Sequence, residues 1–282
     1  MRDLVKVLLF LPLSACSQVQ QSSSLENALQ NGWQSSRDVP APGRSYAPFE
    51  LVEGSEPWSH EIQSTITRSG KSAWKMEVRP GDREVFFGSY RAEITLTSKA
   101  SAQTYRPNAL RLSTYVPSGV WADSPLPECF PFQAHPYSPV YDAGSASLYI
   151  EVKDGQYNAR VIHTNGNTTP GSTEVITTIP IGPVERDTWV DWVVFYEPKA
   201  TPDGRVIIWR RVKGVDNDYK KVVDYTGRTL HGWSQWPYFK AGIYWWNRPA
   251  TGPDSLVRRA YIDMIAFGRT TEAKVLGQYR LD

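Results

Sequence analysis

Cysteine is almost missing from this sequence: Cys16 and Cys129 are the only two, too few for a disulfide framework. Long apolar runs are missing as well. The one near the start, residues 7–13, falls far short of the about 20 residues that span a bilayer. Charge of one sign is not in excess, since 31 Lys and Arg face 29 Asp and Glu for a formal +2, so no bulk field draws nucleic acid and an anionic partner needs a local cluster. No zinc-ligand spacing, phosphate loop, nucleophile elbow or dinucleotide fingerprint occurs, and no internal repeat stands out. What is abundant is aromatic: 11 Trp and 15 Tyr, with 21 Pro and 20 Gly, suit short strands, many turns and surfaces on which rings stack.

The chain begins with a basic segment, a short apolar run and then Leu13-Ser14-Ala15-Cys16, an order typical of an exported leader. That ending resembles the lipobox of bacterial lipoproteins, which implies removal of residues 1–16 up to an acylated Cys16. A plain secretory signal is the alternative. Ser17 in place of Asp after the cysteine implies, by the same resemblance, the outer membrane of a Gram-negative envelope. Residues 17–47 are rich in Gln, Ser, Asn and Pro and poor in apolar side chains, so they are expected to form a flexible tether. Cys129 is then the sole thiol, expected to pack as a small apolar residue.

Residues 48–282 read as one domain. Short runs of alternating apolar and polar residues recur between Gly, Pro, Asn and Asp, at 72–78, 84–97, 109–116, 147–152, 158–163, 174–179, 189–196, 205–212, 238–245 and 260–267. With no amphipathic helical stretch of comparable length, the pattern predicts an all-β antiparallel sandwich or barrel.

Three segments place polar side chains at every second position, so each forms a row on one strand face. In Tyr238-Phe239-Lys240-Ala241-Gly242-Ile243-Tyr244, Phe239, Ala241 and Ile243 point to the core while Tyr238, Lys240 and Tyr244 point away. In Tyr90-Arg91-Ala92-Glu93-Ile94, Arg91 and Glu93 share a face; in Phe132-Gln133-Ala134-His135, Gln133 and His135 do. Side by side on one sheet, these rows would gather Arg, Gln, His, Lys and Tyr in a single groove.

Those three motifs, in that order, resemble the jelly-roll polysaccharide lyases, the group of alginate lyases, heparin lyase I and glucuronan lyase. The resemblance spans residues 49–268. It implies a single concanavalin-like jelly-roll of two antiparallel sheets and β-elimination on a uronate polysaccharide, with Arg91, Gln133, His135 and Tyr244 as catalytic residues. Around them Lys240, Tyr238, Glu93, Trp245, Trp246 and Arg248 are expected to bind substrate. Ala92 stands where alginate lyases carry Ser or Thr, and Trp245-Trp246 where they commonly continue with Gln. Together with a closing Tyr261-Ile262-Asp263 strand, this leans the expectation from alginate toward glucuronate. The resemblance also allows a structural Ca²⁺ near Glu50 and Asp263, although no cofactor is expected; the anticipated partners are an anionic polymer and, through the lipid alone, a membrane, with a monomeric protein.

The chemistry explains the residue types. A uronate C5 proton is poorly acidic while the adjacent carboxylate stays negative, because its removal puts a second charge on one conjugated system. Arg91 offers a bidentate fork to that carboxylate and Gln133 an amide donor to the developing enolate. His135, with an ordinary pKa of about 6.5, either completes that hydrogen bonding or takes the proton. Tyr244 acts on the C5 proton, on the leaving O4, or on both, and its phenol, ordinarily near 10, serves as a base only where cations such as Arg91 and Lys240 lower it. Trp233 and Trp236 are further stacking candidates, whereas His60, His163 and His231 are expected to pack, and Arg258 and Arg259 to be solvated. A glycosidase would need paired carboxylates, which these rows lack. A surface carbohydrate-binding module needs aromatics without a Tyr beside cations, and is the rival reading.

Overall fold

The computed structural model describes residues 34–35, 51–54, 56–79, 81–83, 89–95, 107–137, 145–166, 173–246 and 257–281. The leader with Cys16, nearly all of the tether, Glu50 and Arg248 lie outside them.

Two antiparallel sheets form the molecule. The larger has the order β13-β12-β11-β6-β15-β4-β3: β13 (Lys220–Gly227), β12 (Gly204–Val212), β11 (Trp189–Glu197), β6 (Asn108–Tyr115), β15 (Arg258–Arg269), β4 (Ala73–Val78) and β3 (His60–Gln63), with β1 (Gln34–Ser35) on β15. The smaller runs β10-β9-β8-β7-β14-β5-β2: β10 (Glu174–Pro183), β9 (Gln156–Thr164), β8 (Leu148–Lys153), β7 (Glu128–Tyr137), β14 (Trp236–Trp246), β5 (Ser89–Thr95) and β2 (Leu51–Gly54). Each expected strand has its counterpart, and the sandwich holds.

Period-two burial explains the core. Trp74, Leu112, Trp192, Val194 and Ile208 of the larger sheet face Ile94, Phe132, Ile150, Phe239 and Ile243 of the smaller, all essentially without solvent exposure. At about 1.5–3 kcal/mol for each large apolar side chain buried, this interior is the main stabilising term. Five elements lie outside the expected runs and polar rows. Strands β1, β2 and β3 are two to four residues long, and β13 is an edge strand with half its residues exposed. The fifth is a helix, α1 (Glu272–Tyr279), which lays Val275 and Tyr279 on Ala109, Val193, Phe195, Ile207 and Trp209 of the larger sheet's outer face.

Candidate active site

The three polar rows lie on adjacent strands of the smaller sheet, on its outer face. Strand β14 sits between β5 and β7, with Tyr244 opposite Arg91, Gly242 opposite Glu93, Lys240 opposite Gln133 and Tyr238 opposite His135. Directly opposed residues in an antiparallel pair project to one face, so the register alone assembles the groove. Gly242 has a structural reason to be glycine: its φ of 141° is outside the range of L side chains, and a Cβ would sit 2.1 Å from the Ala92 carbonyl oxygen.

Glu93 is the hub. Its carboxylate is 1 % exposed and accepts a 2.7 Å hydrogen bond from Gln133 Nε2. Arg91 Nη1 and Lys240 Nζ approach its other oxygen at 4.0 and 3.8 Å. Two cations thus approach this carboxylate at more than hydrogen-bond length, and the register sets a second acidic residue, Glu53 of β2, opposite Glu93. The Arg91 guanidinium lies 4.6 Å over the Tyr244 ring and donates to Ser89 Oγ at 3.1 Å. Tyr244 also shares a hydrogen bond with Ser89. Burial raises the Tyr244 phenol above its ordinary range despite the opposing effect of Arg91, and Glu93 pushes the same way. The cations expected to activate the phenol as a base are therefore outweighed, and Tyr244 rests protonated.

At the other end of the row, His135 packs against Tyr238, ring centroids 5.3 Å apart, and Lys240 lies 5.7 Å over the Tyr238 ring. His135 Nδ1 is 2.9 Å from the Pro136 carbonyl oxygen. A carbonyl only accepts, so Nδ1 carries hydrogen and neutral His135 presents its lone pair at Nε2.

Trp245 belongs elsewhere. It is fully buried on the core side of β14, with Arg258 Cζ 4.5 Å from its ring, and cannot stack on a sugar. Its parity with Phe239, Ala241 and Ile243 is the reason. Arg258, expected at the surface, is buried too and donates from Nε to both oxygens of Glu128 at 2.7 and 3.0 Å, while Arg259 pairs with Glu77. The side chains of Trp236 and Trp246 lie outside the described residues. The remaining histidines are packed: His60 against Trp74, His231 stacked on Trp233 with Nε2 2.9 Å from the Ser145 carbonyl, and His163 buried. Cys129 is buried opposite Tyr244, and burial pushes its thiol well up, which makes it a poor nucleophile. Asp263 spends both oxygens on donors: Oδ2 accepts from the Arg68 and Ser69 amides and the Ser69 hydroxyl, Oδ1 from the Met264 amide. That set of N–H and O–H donors anchors a loop and does not suit a cation.

Sequence reasoning missed Ser89, which shares the face of Arg91 by period two, and the continuation of the groove over β8 and β9. Tyr149 opposes Gln133, and packs with Cys129, Ile162 and Tyr244; Arg160 opposes Tyr149. Strand order, which no local pattern reveals, brings these last residues in.

A family model described as polysaccharide lyase matches residues 30–266. No curated protein matches. Among solved structures, the endo-β-1,4-glucuronan lyase from the fungus Trichoderma reesei is similar at 19 % identity and TM-score 0.64, over 79 % of this chain and 92 % of that one. The marine PL-14 alginate lyase from Aplysia kurodai is similar at 13 % identity and TM-score 0.57, over 84 % and 98 %. A GH131 β-glucanase catalytic domain from Podospora anserina reaches TM-score 0.52 at 12 % identity, over 84 % and 92 %. These likenesses give the fold, a jelly-roll that serves lyase and glucanase alike; the family match, which covers most of the chain, decides between them. The chain belongs to the polysaccharide lyase family.

Proposed function

We propose that this lyase cleaves a uronate-containing polysaccharide, glucuronan-like before alginate-like, by β-elimination. The observation that carries the reading is the grouping on one face of Arg91, Lys240 and Gln133 around Glu93, beside a protonated phenol, Tyr244, stacked on Arg91. The substrate carboxylate enters that cluster, its charge met by the Arg91 fork and its enolate oxygen by the Gln133 amide. The C5 proton passes either to His135 Nε2 or to a Tyr244 phenolate formed on substrate binding, and the C5 electron pair forms the C4–C5 double bond as the C4–O4 bond breaks. Tyr244 donates its proton to O4. Atoms and charge balance without a metal, so chelation by EDTA is expected to leave the rate unchanged. The lean toward glucuronate draws support from the similarity to a glucuronan lyase and from the motif differences around Ala92 and Trp245.

The deciding experiment is a panel of glucuronan, alginate and glycosaminoglycan polymers read by the ultraviolet absorbance of the unsaturated uronate product. Absorbance on at least one polymer, lost in Tyr244→Phe, supports the reading. Binding without absorbance across the panel favours the carbohydrate-binding alternative. His135→Ala as damaging as Tyr244→Phe supports the division of roles; tolerance of His135→Asn would give both proton transfers to Tyr244. We also propose that the domain is tethered to the outer membrane through acylated Cys16. Cys16→Ala would then release membrane-bound protein into the soluble fraction, and unchanged partitioning would refute the anchor.

A further inference from the structure

The groove does not end at His135. Lys240 on β14, Gln133 on β7, Tyr149 on β8 and Arg160 on β9 oppose one another in register and form one row across four adjacent strands. Arg160 is braced from β8: its Nη1 lies 3.5 Å from Glu151 Oε1, and it hydrogen-bonds the Tyr149 hydroxyl. Glu151 and Tyr149 are buried, while the Arg160 side chain keeps 23 % of its surface. A guanidinium carries five N–H donors, and these two contacts occupy only part of the set. The Glu151 contact is also at the long limit of a hydrogen bond, unlike the 2.7 Å pair between Arg258 and Glu128 in the core. Buried groups therefore fix one part of the Arg160 fork while the rest of it, in a side chain 23 % exposed, faces the groove.

Spacing assigns a ligand to that edge. Neighbouring strands lie about 4.8 Å apart, close to the advance of one 1,4-linked pyranose along its chain. A polymer laid across the strands passes roughly one sugar per strand, and β9 lies two intervals from Gln133 on β7 and four from Arg91 on β5, so about three from a carboxylate held between them. We propose that Arg160, braced by Glu151 and Tyr149, is a second carboxylate-binding position, gripping a uronate about three sugars from the one held at Arg91 and Gln133. It selects for chains charged at a distance from the scissile bond as well as beside it. This inference rests on the uronate reading above.

The test compares substrate lengths. Steady-state kinetics of wild type, Arg160→Gln and Arg160→Lys are measured on the polymer that wild type degrades and on its purified trimers and long oligomers. Charged hydrogen bonds of this kind predict a KM on the polymer raised roughly 10- to 100-fold in Arg160→Gln, with kcat unchanged. On trimers, too short to reach from the cleavage point to Arg160, KM should equal that of wild type. Arg160→Lys, which keeps a cation beside Glu151, should recover part of the loss, and carries the same length comparison if the Gln variant folds poorly. Equal losses on short and long substrates, or none on either, overturn the inference. Wild type inactive on every uronate polymer overturns the uronate reading itself, and this inference with it.

Discussion

The outer faces of the two sheets both bury a carboxylate between two cations, yet they spend it differently. On the larger sheet Asp191 takes the Arg68 fork on both oxygens at 3.0 and 3.1 Å, Ser113 at 2.6 Å and Arg211 at 2.7 and 3.2 Å. Nearby, α1 covers the apolar part of the same face with Val275 and Tyr279. On the smaller sheet Glu93 takes Gln133 at 2.7 Å, with Arg91 and Lys240 at 4.0 and 3.8 Å. Donor forks consumed by a carboxylate make a structural joint. Cations set around a carboxylate at longer range, with Gln133 as its short donor, make a looser joint, and that face is the one proposed as the receptor for a substrate carboxylate.

The largest effect should come from the smallest change on the receptor face. Tyr244→Phe removes one hydroxyl and should lower turnover by about 10²- to 10⁴-fold while polymer binding and melting temperature hold. Steady-state kinetics, affinity electrophoresis and calorimetry together check this. A variant that keeps near wild-type turnover would move the proton transfer to Tyr238, the other phenol of the row.

The joint should behave in the opposite way. Asp191→Ala strands Arg68 and Arg211 in a buried site and should cost about 3–5 kcal/mol of stability, with KM unchanged in the protein that remains folded. Burial alone would raise the Asp191 pKa, but hydrogen bonds from Arg68, Ser113 and Arg211 outweigh it and the net direction is down. A carboxylate depressed in the folded state contributes stability that is complete above its unfolded pKa of about 4 and is lost as pH falls through the lower folded value. The difference in urea midpoint between wild type and Asp191→Asn should therefore be constant near neutrality and shrink below about pH 4. A constant gap down to the acid limit would mean that Asp191 is not the group being titrated.

How much of this contrast could be read in the chain depends on the range of the interactions. Period two alone places Lys240 and Tyr244 outward and Phe239 and Ile243 inward, and the same parity assigns Trp245 to the interior; reading Trp245 as a sugar platform set aside what its neighbours already said. The motif order brought Arg91, Gln133 and Tyr244 to one face because their strands happen to be neighbours. Arg160 and Tyr149 carry no local signal, since their membership follows from β9 lying beside β8 and β8 beside β7. Arg68 and Asp191 are 123 residues apart, and only the folded sheet shows that the arginine is spent. The edge strand β13 hid for a different reason: a bulge at Val222 breaks its alternation, which runs only over the five residues from Val223 to Gly227.

A subtler change asks whether Glu93 holds Arg91 and Lys240 in place. Glu93→Gln keeps the shape and an amide partner for Gln133 but removes the charge between Arg91 and Lys240. With that anion gone the two cations repel and lose their anchor, so kcat should fall roughly ten-fold. KM should not rise, because the groove becomes more positive. Isothermal binding of the polymer to the Tyr244→Phe background, with and without Glu93→Gln, separates the two parameters. A large rise in Kd with kcat intact would make Glu93 part of the binding surface and dissolve the analogy with Asp191.

The smallest effect tests an apolar group on the receptor face. Cys129 lies opposite Tyr244 and packs with Tyr149 and Ile162, and burial holds its thiol well above the ordinary range. It should behave as part of the wall beneath the groove. Iodoacetamide at neutral pH should leave the native protein unmodified at this position and the rate unchanged, whereas urea-unfolded protein should label fully; peptide mass spectrometry reads both. Cys129→Ala removes one sulfur from a packed site and should cost about 1 kcal/mol of stability with little loss of turnover. Rapid labelling of the native thiol with loss of activity would show instead that this part of the wall opens to solvent, and that the raised floor under Tyr244 is not what keeps its phenol protonated.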